Sequence, residues 1–351
     1  MELHLLLPSR GRDHNCNRLN GLASTLSGLA KLKILGIQAH PCSVPGHMSD
    51  TCEVHSLDMP EILSHPLPQL QKLELGPTIF ASHFEKVSLC VPNLTSLSAT
   101  FWRFQDLGVV SQLSKLKNLD ISGLDLSDGV ATDSVQGLSD ALHGLACLET
   151  LCLESIAGLS SLNCIHAAPF RLSRLELHNL PDLSNPTVDM LPLLKLSQLV
   201  LVGELNGSLP DILHSARPQN LSCLTSLKIK QILHAELPAE ISVLTQLQSL
   251  ENVDTALEQL PVWLSALSRL TALVLDSNNG LLLDANLVAS LPSLGKLSVG
   301  DCVPLRTRGA METLTELMDC DVTDSICIDE MADWVEEYSQ SSHSNASESD
   351  E

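Results

Sequence analysis

The chain has 351 residues, and its 42 acidic residues against 20 basic ones give a net charge of −22 at pH 7. Phosphates repel so acidic a body, which excludes nucleic acid and anionic membrane surfaces as its main partners. Eleven scattered cysteines without a CxxC pair exclude a disulfide framework, and no stretch approaches the ~20 apolar residues of a membrane span.

Residues 1–25 form a poorly defined N-terminal segment, whose apolar run is too short for a signal peptide. From residue 26 to residue 325 the pattern LxxLxL recurs. Leu227, Leu250 and Leu273 are 23 residues apart, and a period of about 20–30 residues indicates stacked repeats. Taking the second leucine of each pattern as an anchor gives twelve positions: Leu35, Leu73, Leu97, Leu119, Leu151, Leu175, Leu199, Leu227, Leu250, Leu273, Leu297 and Cys320.

The residues around each anchor alternate between apolar and variable types, which predicts a short strand with one buried side. We therefore predict an α/β solenoid of about 12 irregular repeats, most of them 22–24 residues long, with insertions. A curved parallel β-sheet is expected on its concave face, and short helices and loops on its convex face. Leu-Pro steps at Pro238 and Pro261 predict helical turns in two of the returning segments.

Two gaps between anchors are longer than one repeat. In the first, residues 38–66, we expect a loop insertion. It contains Cys42, His47, Cys52 and His55, but their spacing is too loose for a typical zinc site, so we assign no metal or other cofactor there. In the second, residues 122–145, the apolar stripe of Val135, Leu138, Leu142 and Leu145 predicts a longer convex helix.

Candidate partner-binding residues follow from the strand alternation. Glu74, Asp120, Glu154 and Glu176 fall on the concave face of repeats 2 to 6 and form an acidic block suited to a basic partner surface. The alternative is a solvated acidic face without a partner. Cys152 and His178 fall on the same face, and two further candidates, Lys228 and Lys230, form a basic step beyond the block.

An aromatic cluster, Phe-Trp-Arg-Phe, follows the third strand. Phe101 and Arg103 are candidate partner contacts, because aromatic and arginine side chains often anchor interfaces. The alternative for Trp102 is packing at the turn, where a typical repeat places asparagine or cysteine. Only Asn278 and Cys302 fit that turn position, so less regular turns are expected elsewhere.

On these residues the array from 26 to 325 resembles the leucine-rich repeat superfamily. Its most regular stretch, LPAEISVLTQLQSLENVDTALEQLPVWLSALSRLTALVLDSNN, resembles the LPxxLxxLxxLxxLxLxxN form. Plant intracellular Ras-group repeat proteins and the repeat domains of nucleotide-binding immune receptors carry that form. The sequence has no GxxxxGK[ST] loop, so the nucleotide-binding part of those receptors is absent from it.

The last residues divide into two segments. Ile328, Met331, Val335 and Tyr338 form an apolar stripe that predicts a C-terminal capping helix over residues 326–338. Residues 339–351 are polar and acidic, which predicts a disordered tail, with Ser347 and Ser349 placed before acids as an acidophilic kinase requires.

No catalytic motif is visible in the sequence. We therefore predict a non-catalytic, cytoplasmic, monomeric scaffold that binds a protein partner on its concave face. Two alternatives remain open: a substrate-recognition subunit of a ubiquitin ligase, and a cytoskeletal or ciliary assembly component. The nucleus and the cilium axoneme are the alternative locations.

Overall fold

A computed structural model describes residues 1–7, 26, 29–39, 55–58, 65–75, 79–82, 87–100, 107, 110–123, 131–167, 171–183, 195–205, 213 and 221–300. Fourteen short strands share one sheet. Their bounds are β1 Glu2–Leu7, β2 Ile34–Ala39, β3 His55–Asp58, β4 Lys72–Leu75, β5 Ile79–Ser82, β6 Ser96–Thr100, β7 Asn118–Ser122, β8 Thr150–Glu154, β9 Arg174–Leu180, β10 Gln198–Leu205, β11 Ser226–Lys230, β12 Ser249–Val253, β13 Ala272–Val274 and β14 Lys296–Ser298.

Twelve of these strands form one continuous ladder in the order β1-β2-β4-β6-β7-β8-β9-β10-β11-β12-β13-β14. Every neighbouring pair is parallel, and the anchor leucines pair in register: Leu227 lies opposite Leu250, which lies opposite Leu273. The alternation of the sequence therefore sets both the strands and their register. Eleven predicted anchors lie on these strands, while the twelfth, Cys320, lies outside the described residues.

Two features of the ladder differ from the sequence prediction. Strand β1 lies within the N-terminal segment that was left without an assignment, and it pairs with β2 through Leu3 and Leu35. The segment predicted as a loop insertion contains β3, which pairs with β5, and β5 joins the ladder at Thr100 of β6. Strands β1 and β3 are not preceded by the LxxL that comes before an anchor, so the leucine pattern did not indicate them.

The core is a row of stacked leucines beneath the ladder. The anchors from Leu35 to Leu273 are at most 4% exposed, whereas the residues beside them in the strands are mostly half-buried. Just before each ladder strand from β2 to β13, one carbonyl accepts two N–H groups of the next repeat. Gln248 O, for example, accepts from Thr271 N at 2.8 Å and Ala272 N at 2.9 Å. Each repeat thus satisfies the backbone of its neighbour.

The segments between strands carry short helices. These are α1 Val87–Cys90, α2 Ala131–His143, α3 Ala285–Ala289 and the 3₁₀ helices Asn163–Ala167, Ala239–Val243 and Val262–Ala266. Pro238 and Pro261 precede the last two 3₁₀ helices in extended conformation, as the Leu-Pro steps predict. Helix α2 lies in the long insertion and precedes the buried Leu145.

The turns that leave the strands are more regular than the missing asparagines suggested. In seven consecutive repeats the residue four places after the anchor has φ between 50° and 74°. These residues are Gly123, Ser155, Asn179, Gly203, Gln231, Asp254 and Ser277. A left-handed residue at this place reverses the chain direction in each of these repeats. The turn forms whether or not the next residue is the asparagine of a typical repeat.

Candidate functional site

Two rows of side chains face away from the buried leucines, on what we call the open face of the sheet. The first row stands one residue after each anchor and the second row three residues after it. Strand register places these residues opposite one another. The first row includes Glu74, Ser98, Asp120, Cys152, Glu176, Val200, Lys228, Glu251 and Val274, and the second includes Thr100, Ser122, Glu154, His178, Val202, Lys230 and Val253.

The structure brings three residues of the predicted acidic block together. Asp120, Glu154 and Glu176 lie on the neighbouring strands β7, β8 and β9, with Cys152 directly between Asp120 and Glu176. Glu74 lies further along the first row, separated from Asp120 by Ser98. The block is therefore a cluster of three carboxylates with one carboxylate two strands away.

Local partners offset part of this charge. Lys72 Nζ lies 2.5 Å from Glu74 Oε1, and both side chains are more than a third exposed, so the pair contributes little to stability. The Asp120 carboxylate accepts a hydrogen bond from Ser98 Oγ at 2.8 Å. No ion pair joins the half-buried Glu154 to another described residue.

Glu176 is the most constrained carboxylate of the block. His178 Nε2 lies 3.3 Å from its Oε2, and Arg174 Nε lies 2.6 Å from its Oε1. Contact with His178, helped by Arg174 and opposed by burial, lowers the pKa of Glu176 to about 2. The carboxylate is therefore ionised at every physiological pH.

Cys152 is the buried centre of the block. Burial raises the pKa of its thiol far above the usual range, and the negative charges of Asp120 and Glu176 raise it further. The thiol is thus protonated in the absence of a cation, and it is a poor nucleophile in that state. One ligand atom each of Cys152, Glu176 and His178 lie within 4.8 Å of one another.

The predicted basic step is only partly basic. Lys228 Nζ forms an ion pair with Glu251 Oε2 at 2.6 Å, which Glu251 brings from the next strand. Lys230 lies between Val202 and Val253 on the second row, so apolar neighbours flank its charge on both sides. Beyond the acidic block, the open face therefore combines valines with the Lys228–Glu251 ion pair and with Lys230, whose neighbours in its row are apolar.

Several predicted features fall outside the described residues. They include Phe101 and Arg103, the side chain of His55, the cysteines and histidines at positions 42, 47 and 52, the segment 326–338 and the tail 339–351. Sequence reasoning placed Cys152 and His178 on the right face but did not join them to Glu176 as one group. Aligning the anchors carries that signal, because register makes residues 152 and 176 neighbours.

No protein-family model matches the chain, and no curated protein matches it. Among solved structures, a chain in the crystal structure of a TLR13–ssRNA13 complex aligns with 76% of this chain at 16% identity and a TM-score of 0.46. This chain spans 42% of the length of that one.

The ladder itself decides the fold class, because twelve parallel strands lie side by side in one open sheet, and the ten ladder strands from β2 to β13 each carry a buried anchor leucine. The fold is a leucine-rich-repeat solenoid. Such solenoids use an extended face of the sheet as a recognition surface. No helix among the described residues is long and apolar enough to cross a membrane.

Proposed function

We propose that this leucine-rich-repeat solenoid is a non-catalytic scaffold that binds a protein partner on its open face. The observation that carries the proposal is the change from acidic to apolar side chains along the two rows of the open face. A carboxylate cluster around Asp120 and Glu176 passes directly into the apolar residues Val200 and Val202. Protein interfaces combine an apolar patch with complementary charge in this way.

The chemistry of the partner follows from the uncompensated charge. Glu154 has no ion pair among the described residues, and Glu74 is only paired at the surface. A basic surface with an apolar edge would complement both parts of the face. The same carboxylates would repel the phosphates of a nucleic acid, so a protein is the better partner.

We further propose that the most regular repeats are of the plant intracellular type named above. The support is the turn at Asn278, whose side-chain amide donates to Asn252 O and to Leu275 O at 2.7 Å each. This use of a buried asparagine is what the LxxLxLxxN form provides. We also place the chain in a reducing compartment, on its scattered cysteine pattern. Among the described residues, Cys147, Cys152, Cys164 and Cys223 form no disulfide.

A capture experiment with matched charge changes tests the scaffold proposal. The full chain is used as bait beside Glu74→Lys/Glu154→Lys, which reverses two open-face charges without touching the Glu176 contacts. Glu236→Lys/Glu258→Lys is the control, because both of those carboxylates are exposed and lie outside the strands. The two variants carry the same net charge, so only the position of the change differs.

We expect the open-face variant to lose the partner, and added salt to weaken capture by the unmodified chain. The control variant should retain the partner. If both variants lose the partner equally, net charge alone explains the loss and the acidic block is not the binding site. If both retain the partner equally, binding at the acidic block is contradicted.

A further inference from the structure

We propose that Cys152, Glu176 and His178 form a binding site for a divalent metal ion of the zinc type on the open face of the sheet. This site does not depend on a protein partner, so it stands or falls separately from the scaffold proposal. It lies within the described residues and is distinct from the Cys/His-rich segment near residues 42–55.

Strand register brings the three residues together. Cys152 of β8 lies directly opposite Glu176 of β9, and parallel strands are about 4.8 Å apart. His178 follows Glu176 by two residues on the same strand, so its side chain leaves the sheet on the same face. Rigid, hydrogen-bonded strands therefore present all three groups, and no loop has to fold over to complete the set.

The distances are close to those of a coordinated ion. Ligand atoms on a tetrahedral zinc ion with bonds of about 2.0–2.3 Å lie about 3.3–3.8 Å apart. His178 Nε2 and Glu176 Oε2 are already 3.3 Å apart, and the thiol lies within 4.8 Å of its two partners. The proposed site requires the thiol to approach its two partners by about 1 Å to complete that geometry.

One atom of the group and one atom beside it are buried and lack a hydrogen bond of good geometry. His178 Nε2 is buried and makes no hydrogen bond of good geometry, despite its approach to Glu176. Asp120 Oδ1, on the other side of Cys152, is also buried and without a hydrogen bond. A buried polar atom without a hydrogen bond costs free energy, and a cation bound by the group would take His178 Nε2 as a direct ligand.

The charge balance also favours a cation. Asp120, Glu154 and Glu176 surround Cys152, and Arg174 contacts Oε1 of Glu176. Oε2 of Glu176 therefore remains available on the side of His178 and Cys152. Repulsion among the three carboxylates falls when a doubly charged ion binds between them.

The ligand set selects the class of metal. A cysteine sulfur, an imidazole nitrogen and one carboxylate oxygen suit zinc and its neighbours in the transition series, whereas magnesium and calcium prefer oxygen alone. Binding replaces the thiol proton by the metal, so one proton is released to solvent as the Cys152 sulfur–metal bond forms. Three protein ligands leave one coordination position facing solvent, where a water molecule completes the tetrahedron.

Cobalt titration of the full chain, stripped of metal under reducing conditions, is the direct test. Co²⁺ adopts the same coordination as Zn²⁺ and shows a thiolate-to-metal charge-transfer band when cysteine binds it. We expect the unmodified chain to develop this band and to lose it when Zn²⁺ is added. Mg²⁺ and Ca²⁺ should neither produce the band nor displace cobalt.

Variants separate this site from the other cysteines and histidines of the chain. Cys152→Ser should bind one equivalent of cobalt fewer than the unmodified chain, and His178→Gln should weaken that equivalent by at least about 100-fold, the upper end of the loss seen for outer-shell partners. The control is Cys223→Ser, an exposed cysteine that should leave both the band and the stoichiometry unchanged.

A thermal readout keeps the test decisive if one variant folds poorly. Zn²⁺ should raise the unfolding temperature of the unmodified chain and of Cys223→Ser, but not that of the half-buried His178→Gln. The proposal is overturned if the unmodified chain and the folded Cys152→Ser and His178→Gln variants bind the same number of cobalt ions with the same band and affinity.

Discussion

The side chain of Asn278 forms hydrogen bonds to Thr255, which lies one repeat earlier in the chain. Its Oδ1 accepts from Thr255 N at 3.1 Å and from the Thr255 hydroxyl at 2.9 Å, and it also accepts from Leu257 N at 3.1 Å. Both Asn278 and Thr255 are fully buried. One side chain thus replaces water for the polar groups of two successive turns.

Removing the Asn278 side chain should lower the stability of the fold. Asn278→Ala is expected to destabilise the chain by at least about 2 kcal/mol, because each buried polar group left unsatisfied costs about 1–3 kcal/mol. Denaturant unfolding followed by circular dichroism measures the loss. Asn286→Ala, at an exposed position of α3, is the control and should change stability by no more than about 0.5 kcal/mol. Similar values for the two variants would mean that Asn278 does not bridge the turns.

Leu247 and Glu251 test which side of the sheet is buried. Leu247 is fully buried, so Leu247→Ala should cost about 2–5 kcal/mol through lost burial and the cavity left behind. Glu251 lies on the open face in a half-buried ion pair with Lys228, so Glu251→Ala should cost about 1 kcal/mol, less than the leucine change. Comparable losses in the same unfolding experiment would contradict the assignment of faces.

Gly203 tests the recurrent left-handed turn. Its φ is +74°, and an added Cβ would lie 1.8 Å from Asn179 Oδ1. Gly203→Ala should therefore cost at least about 1–2 kcal/mol from backbone strain alone. The matched change Gly280→Ala meets nothing closer than Glu258 Cγ at 3.9 Å and should be neutral within about 0.5 kcal/mol. If both glycines tolerate alanine, the regular turn is not needed.

His234 should make the chain less stable in mild acid. Burial lowers the pKa of its imidazole, although a contact of 2.7 Å with Ile232 O and a neighbouring Asn252 partly oppose this. Below the ordinary pKa of about 6.5 the unfolded chain binds a proton that the folded chain resists. Stability should therefore fall as the pH drops below about 6.5 towards the folded-state pKa.

Comparison of the unmodified chain with His234→Gln isolates this contribution, because every other residue is the same in both proteins. Denaturation midpoints at pH 7.5 and pH 5.5 should differ more for the unmodified chain than for the variant. A steeper loss in the variant would reverse the sign of the assignment.

The sequence was sufficient for the ladder because one physical requirement repeats in it. A buried leucine is needed at the same height in every layer, so Leu227, Leu250 and Leu273 disclose both the strands and their register. Strand β1 was missed because its leucines follow no LxxL. The regularity of the turns was not predicted, because the left-handed position accepts serine, glutamine or aspartate as well as glycine. No single residue type therefore marks this position in the sequence.

The candidate site was predictable in position but not in chemistry. Alternation places Glu74, Asp120, Glu154 and Glu176 on the open face, yet side-chain conformation decides that Lys72 and Arg174 contact two of them. The grouping of Cys152 with His178 needs register across β8 and β9 as well as alternation within each strand. Charge along a face can be read from sequence, whereas its local compensation cannot.

Carboxylate footprinting of the captured complex tests the scaffold account most directly. Carbodiimide labelling of Glu74, Glu154, Glu236 and Glu258 is measured by mass spectrometry with and without the bound partner. The account predicts that the partner suppresses labelling of Glu74 and Glu154 while Glu236 and Glu258 react unchanged. Protection of Glu236 and Glu258 with full labelling of Glu74 and Glu154 would contradict recognition through the open face.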